Sequence, residues 1–268
     1  MRAVRTIEYL VNVKKLTSAC LNRSLFSCDN WRRYALDFLH LAGPDQYELR
    51  FDNDLRVIVR PDTSDKWVVQ EAMLRDDYRL LSMDLTGATV VDLGANIGAV
   101  SVRAAALGAS RIFAYEPEPN NFTLLTQNIA ANRFQSAIRA FDVACTDHEN
   151  GVTLHLNSDN VAGHSLYGGE GEGITVRSTT LARIFETNDI ATCDLLKIDV
   201  EGSEFPILYT LPGQLFARIT RIHMECHPSS APRHNRADLT AYLQKQGYTV
   251  ETERSADWRI SRLYCQRA

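Results

Sequence analysis

Two periods of apolar positions alternate along the middle of this chain, and the alternation sets the expected architecture. Residues 89–93, with Thr89, Val90, Val91 and Leu93 around Asp92, are β-prone or apolar and predict a buried central strand. Gly94 permits a tight turn where a side chain would clash, and residues 97–107 then read as a helix that Gly108 stops. A second strand is expected over 112–115. Pro117 and Pro119 end it and open a helix over 120–132. Strands follow at 137–144, 152–156, 174–176, 194–200 and 221–226, with helices near 180–186, from about Glu204, and at 237–246 closed by Gly247. Residues 248–253 and 262–265 read as an antiparallel pair. Strands alternating with helices predict an α/β fold around a mostly parallel sheet.

Ahead of this core the pattern changes. Residues 4–16 and 31–41 carry apolar side chains at near-helical spacing. Gly43-Pro44-Asp45 is a turn, and 47–51 with 55–59 read as a hairpin. Residues 61–65 break the chain and cap a helix expected over 66–84, on which Glu71 and Tyr78 either approach the cofactor edge or, the preferred reading, are ordinary helix positions. The division expected is a helical and hairpin extension over 1–65 and a main domain over 66–268. Residues 157–173, rich in Gly, Ser and Asn and containing Asn160, His164, Ser165 and Tyr167, form the most loop-like stretch. A loop of that length is expected to be either a lid beside a site or an exposed hairpin connection.

Composition narrows the partners. The 268 residues are 45% hydrophobic and 23% charged with a net charge of −4, an ordinary globular balance without the basic footprint of a nucleic-acid binder. The basic residues Arg2, Arg5, Lys14, Lys15, Arg23, Arg32 and Arg33 cluster near the start, where a helical cap with a solvated basic face is expected. Such a cap would wall a pocket or support a homo-oligomeric contact. Six scattered cysteines with no C-x-x-C read as free thiols of a reducing cytoplasm. No run approaches the ~20 apolar residues of a membrane span, and Lys14 and Lys15 interrupt the only stretch resembling a lipoprotein signal.

The candidate chemistry sits at strand ends. Asp92-x-Gly94-x-x-x-Gly98, with Ala95 and Asn96 between the glycines, is not the G-x-G-x-x-G of dinucleotide binders. A carboxylate at position 92 facing a ligand would repel a pyrophosphate and attract an ammonium, which points to S-adenosylmethionine (SAM). Glu116 ends the second strand 24 residues later, where an acid accepts ribose hydroxyls. Asp199 and Glu201 end another core strand, and as residues two apart they share a side if the extended chain continues. Such a pair can hold acceptor hydroxyls, act as a base or ligate a divalent metal, although no spacing demands one. Lys197, if buried, needs a partner, and Glu201 is the candidate. Glu225 and His227 follow on the next strand, where an imidazole titrating near neutrality can deprotonate a hydroxyl.

These residues carry a family resemblance. Val91-Asp92-Leu93-Gly94-Ala95-Asn96-Ile97-Gly98, Tyr115-Glu116-Pro117 and Leu196-Lys197-Ile198-Asp199-Val200-Glu201-Gly202-Ser203-Glu204 resemble the FkbM family of class I SAM-dependent methyltransferases over roughly residues 87–230. The resemblance implies a Rossmann-like, seven-stranded, mostly parallel sheet with an antiparallel C-terminal strand, preceded by the helical and hairpin extension. It implies SAM held by Asp92, Gly94, Ala95, Asn96, Gly98, Glu116 and Pro117. Asp142 and Val143, at the end of the 137–144 strand, would flank adenine. It implies a methyl acceptor near Asp199, Glu201, Glu225 and His227, with Asp199 or His227 as base. Hydroxyls of sugars, glycolipids or natural products are the acceptors expected. N-methylation, and SAM binding without transfer, remain alternatives at this point.

Overall fold

The computed structural model describes residues 28–155, 173–254 and 260–267. Helix α1 (Trp31–Asp37) leads into the hairpin of β1 (Tyr47–Arg50) and β2 (Arg56–Val59). Their inward positions Tyr47, Leu49, Val57 and Val59 join Tyr34 and Phe38 in one buried cluster. The helix expected over 66–84 is replaced by α2 (Asp65–Val69), which loosens into a π-helical turn over Gln70–Arg75 and stops. Asp76 turns left-handed at φ 55°, and its carboxylate accepts from the N–H groups of Leu80 (2.9 Å) and Leu81 (3.0 Å). A short acidic side chain competing for backbone donors is what ends the helix. The reversal brings both Glu71 and Tyr78 to the cavity described below.

The main sheet then forms. Strand β3 (Thr89–Leu93) is buried at every position. It is followed by α3 (Ala99–Ala106), β4 (Arg111–Tyr115), α4 (Pro119–Ala131) and β5 (Ile138–Phe141). The expected 137–144 strand divides here, because β6 (Ala144–Thr146) leaves the sheet to pair in parallel with β9 (Ser178–Thr180). Between them β7 (Val152–His155) and β8 (Gly173–Val176) pair antiparallel. The stretch containing Asn160, His164, Ser165 and Tyr167 lies outside the described residues, as does the helix expected over 4–16. The chain continues through α5 (Leu181–Thr187), β10 (Leu195–Ile198), α6 (Glu204–Thr210), α7 (Gly213–Phe216), β11 (Arg221–Cys226), α8 (Arg236–Lys245), β12 (Tyr248–Arg254) and β13 (Ser261–Arg267).

The seven-stranded sheet has the order β12-β13-β11-β10-β3-β4-β5. Strands β11, β10, β3, β4 and β5 run parallel, and β13 enters antiparallel between β11 and β12. Both faces are covered, so neighbouring apolar residues serve opposite cores: Val90, Ile112 and Leu195 pack on one face, Val91, Phe113 and Leu196 on the other. Asn128 on α4 and Asn132 at its C-terminal cap fasten the hairpin to this layer. Asn128 takes the backbone of Ile58 and Ile97, and Asn132 takes both backbone groups of Arg56. Among the described residues, five cysteines are buried free thiols, and no helix is long and apolar enough to cross a membrane.

Candidate active site

A cavity of about 980 Å³, including its open mouth, lies beyond the carboxyl ends of β3, β4, β10 and β11. This is the crevice where open α/β sheets place ligands, and the volume is that of a small-molecule site.

One half is built by the first βα turn and the end of β4. The N–H groups of Gly94 and Ala95 both donate to Tyr115 O, at 3.0 and 2.9 Å, which binds the turn to the neighbouring strand. Gly94 has φ +72°, and a Cβ there would lie 1.8 Å from the Asp199 carbonyl oxygen. Glycine is therefore required for the close approach of the turn to the end of β10. Gly98 (φ +84°) is required for helix packing, since a Cβ would meet Leu125 Cδ1 of α4 at 2.4 Å. Asn96 caps the following turn through its own side chain, with Oδ1 accepting from Ile97 N–H at 2.8 Å.

Glu116 is 6% exposed and lines the cavity with Pro117. Its Oε2 accepts from Asn96 N–H (2.8 Å) and its Oε1 from Glu118 N–H (2.9 Å), so the carboxylate is locked in orientation. Burial pushes its pKa up to about 7, against the opposing pull of those two N–H groups and of Lys197. Ala144, Cys145 and Leu154 supply an apolar wall nearby. A fixed carboxylate with free lone pairs beside an apolar wall fits the ribose and the flat base of SAM.

Three expectations are corrected in this half. Asp92 does not face a ligand. It is fully buried, its Oδ2 accepts from Ser101 Oγ at 2.7 Å, and its Oδ1 lies 3.2 Å from Lys197 Nζ. The partner of Lys197 is accordingly Asp92 and not Glu201, because the parallel register sets Lys197 directly beside Asp92. Lys197 also donates to Gly94 O at 2.6 Å and stands 3.8 Å from Asp199 Oδ2. Burial opposes its charge, but Asp92 and Asp199 outweigh that and raise its pKa. Asp142 and Val143 do not line the cavity either. The chain bends between β5 and β6, which leaves Asp142 exposed against Arg177 and presents Ala144 and Cys145 instead.

The other half is a ring of carboxylates. Asp199, Glu201 and Glu225 line the cavity, joined by Glu71. The Tyr78 hydroxyl donates to Asp199 Oδ2 at 2.8 Å. Glu71 is pushed up to about 8 by burial, then by the charges of Glu225 and Asp199. Glu201 does not continue the strand: it turns left-handed at φ 52° after β10 ends at Ile198, and burial pushes it up to about 8. Glu225 is held by Arg262 Nε at 3.1 Å, and Arg262 Nη2 reaches Asp77 at 2.8 Å.

His227 stands behind this ring. Its Nδ1 lies 2.5 Å from Glu204 Oε1, while Nε2 lies 3.5 Å from Glu201 Oε2 and 3.6 Å from Glu225 Oε2. Burial works against its charge, but Glu204, then Glu201 and Asp199, raise its pKa well above the ordinary histidine value. The surrounding carboxylates therefore favour the protonated ring in the ligand-free chain. His223 is turned away, its Nδ1 donating to Tyr78 O at 2.6 Å and its ring edge-on to Tyr264. Glu71 and Tyr78 line the cavity, where helical periodicity alone favours ordinary helix positions for them. The local signal for them is Asp76-Asp77, an acidic pair placed to stop a helix.

A family model described as the methyltransferase FkbM domain matches residues 92–250. Methyltransferase sdnD of Sordaria araneosa is 25% identical over 203 residues, covering 63% of this chain and 76% of its own. Hexuronic acid methyltransferase AglP of Haloferax volcanii is 22% identical over 160 residues, covering 60% and 63%. The solved FkbM methyltransferase of Methylobacillus flagellatus is 19% identical with a TM-score of 0.46, covering 66% of this chain and only 43% of its own. The magnesium protoporphyrin IX methyltransferase ChlM of Synechocystis, solved with bound SAM, is 15% identical with a TM-score of 0.45 over 93% and 97%. With the domain model spanning more than half of its 268 residues, this chain belongs to the FkbM methyltransferase family, whose cofactor is SAM.

Proposed function

We propose that this methyltransferase acts on oxygen, methylating a hydroxyl of a sugar-like or other polyhydroxylated acceptor seated on the carboxylate ring. The observation that carries the reading is the ring itself: Glu71, Asp199, Glu201 and Glu225 around one end of the cavity. Ionised carboxylates accept, and carboxyl groups that keep a proton, as raised Glu71 and Glu201 do near neutral pH, also donate, which suits a partner rich in hydroxyls that do both. A relative that methylates hexuronic acid supports a sugar acceptor.

When bound, SAM supplies a methyl group already activated by its sulfonium, so the protein's work is alignment and proton removal. Glu116 would hold the ribose hydroxyls, with Gly94, Ala95 and Asn96 lining the cavity beside it. Asp199 accepts the hydrogen bond of the acceptor hydroxyl and takes its proton. Tyr78 and Lys197 fix Asp199 for this, through the contacts at 2.8 and 3.8 Å. Glu201 and Glu225 orient the remaining hydroxyls.

Methyl-labelled SAM offered with matched hydroxyl and amino sugars tests the reading. Label in an ether is expected, and Asp199→Asn should lower kcat by about 10²–10⁴ with SAH affinity kept. The ring would also attract an ammonium, so label found solely on amines would replace this reading with N-methylation.

A further inference from the structure

We propose that Asp199, Glu201 and His227 form a binding site for a divalent first-row cation at the acceptor end of the cavity. One potential ligand atom from each of these residues lies within 4.8 Å of the others. Three strands of argument converge on this position.

The first is the buried nitrogen. His227 Nε2 is inaccessible to solvent and makes no hydrogen bond, although Glu201 and Glu225 oxygens lie 3.5 and 3.6 Å away. A buried polar atom without a hydrogen bond is costly and asks for a ligand. The second is orientation. Glu204, completely buried at the start of α6, holds Nδ1 at 2.5 Å and so turns Nε2 toward the carboxylates. A carboxylate behind the remote nitrogen is the usual support of a metal-ligating histidine. The third is backbone placement. Glu201 turns left-handed (φ 52°) just beyond the end of β10, and there its carboxylate lies beside Asp199 and His227. Tyr78 and Lys197 meanwhile hold one Asp199 oxygen.

Two carboxylates and one imidazole form a mixed oxygen and nitrogen set. Such a set suits Mn²⁺ or Zn²⁺ better than Mg²⁺, which favours oxygen ligands throughout. The cation also resolves an electrostatic problem of the ring. Crowded acidic groups disfavour an acceptor that carries its own carboxylate or a deprotonating hydroxyl, and a divalent ion among them reverses the local field and favours their ionised forms. The acceptor class is thereby narrowed to molecules with adjacent oxygens able to chelate, such as a vicinal diol or a hydroxy acid. This last step rests on the O-methylation reading, whereas the site itself does not.

The test uses the full chain with Mn²⁺ alone, without SAM or acceptor. Electron paramagnetic resonance of free Mn²⁺ reads binding, and proton NMR of the histidine rings reads location. Saturable binding is expected, with the His227 ring broadened before any other histidine. His227→Gln and Glu201→Gln should weaken binding at least tenfold. Glu204→Gln should weaken it about 10–100-fold. Each variant is compared at equal SAH affinity to show that it is folded. No saturable binding up to millimolar Mn²⁺ overturns the site, as does binding that leaves the His227 ring sharp. Because no methyl transfer is measured, failure here leaves the O-methylation reading standing. Mn²⁺ binding in a chain that methylates amines instead would leave the site standing without that reading.

Discussion

Lys197→Met is the substitution whose cost the structure fixes best. The side chain is 3% exposed and its ammonium answers three needs at once: the Asp92 carboxylate at 3.2 Å, the Gly94 carbonyl at 2.6 Å and the Asp199 carboxylate at 3.8 Å. Methionine fills the volume and removes the charge. Asp92, with no exposure, is left with the Ser101 hydroxyl as its hydrogen-bond donor. Breaking one side of a buried ion pair costs about 3–5 kcal/mol, because the surviving charge stays desolvated. For a chain of this size that corresponds to a fall of about 6–20 °C in Tm. Thermal melts by circular dichroism read the loss, and calorimetric titration with SAH reads the accompanying slackening of the Gly94 turn. The decisive arm is Lys197→Met combined with Asp92→Asn, which keeps an acceptor for Ser101 but removes the orphaned charge. The double variant should recover more than half of the lost stability. A single variant costing under about 1 kcal/mol, or a double variant no more stable than the single, would refute a role for Lys197 as the charge partner of Asp92.

Two further outcomes are expected. Glu116 has its pKa raised by burial to about 7, so it is protonated below that pH and loses acceptor capacity for the ribose hydroxyls. SAH should bind more tightly at pH 8 than at pH 6, and Glu116→Gln should flatten the profile; equal wild-type affinities at both pH values would contradict it. The same shift has the opposite sign for the ligand-free fold. Its stabilising contribution is full below the unfolded carboxyl pKa and is lost as pH rises through about 7. Gly94→Ala would push a Cβ to 1.8 Å from Asp199 O in a left-handed backbone, and should abolish SAH binding with a large fall in Tm. Gly87→Ala, equally left-handed but with open space, should cost only about 1–2 kcal/mol. Similar melting temperatures for the two variants would show that the turn can move away from β10.

Local pattern encodes what depends on neighbours in the chain. The buried run of β3, the glycine turn, the two prolines that end β4 and open α4, and the closing antiparallel strands all follow from local periodicity and backbone restriction. Glu116 was legible for the same reason: a strand of known length ending in an acid has a known position relative to the first βα turn. Gly94 and Gly98 were legible as glycines that must be glycines, but their reasons were not, since one faces β10 and the other α4.

Tertiary structure decided the partners. Asp92 and Lys197 are paired because the parallel register lays β10 beside β3 with those two residues opposite one another, and no local pattern encodes that register. His227 has its ring orientation set by Glu204, from another element, which sits at its Nδ1. Asp142 left the cavity because β6 found a partner in β9, and Glu71 and Tyr78 entered it because the chain reverses at Asp76. Periodicity reports which face of an element is buried. Charge, protonation and access depend on what meets that face across space, and in this chain those meetings join residues as far as 187 positions apart.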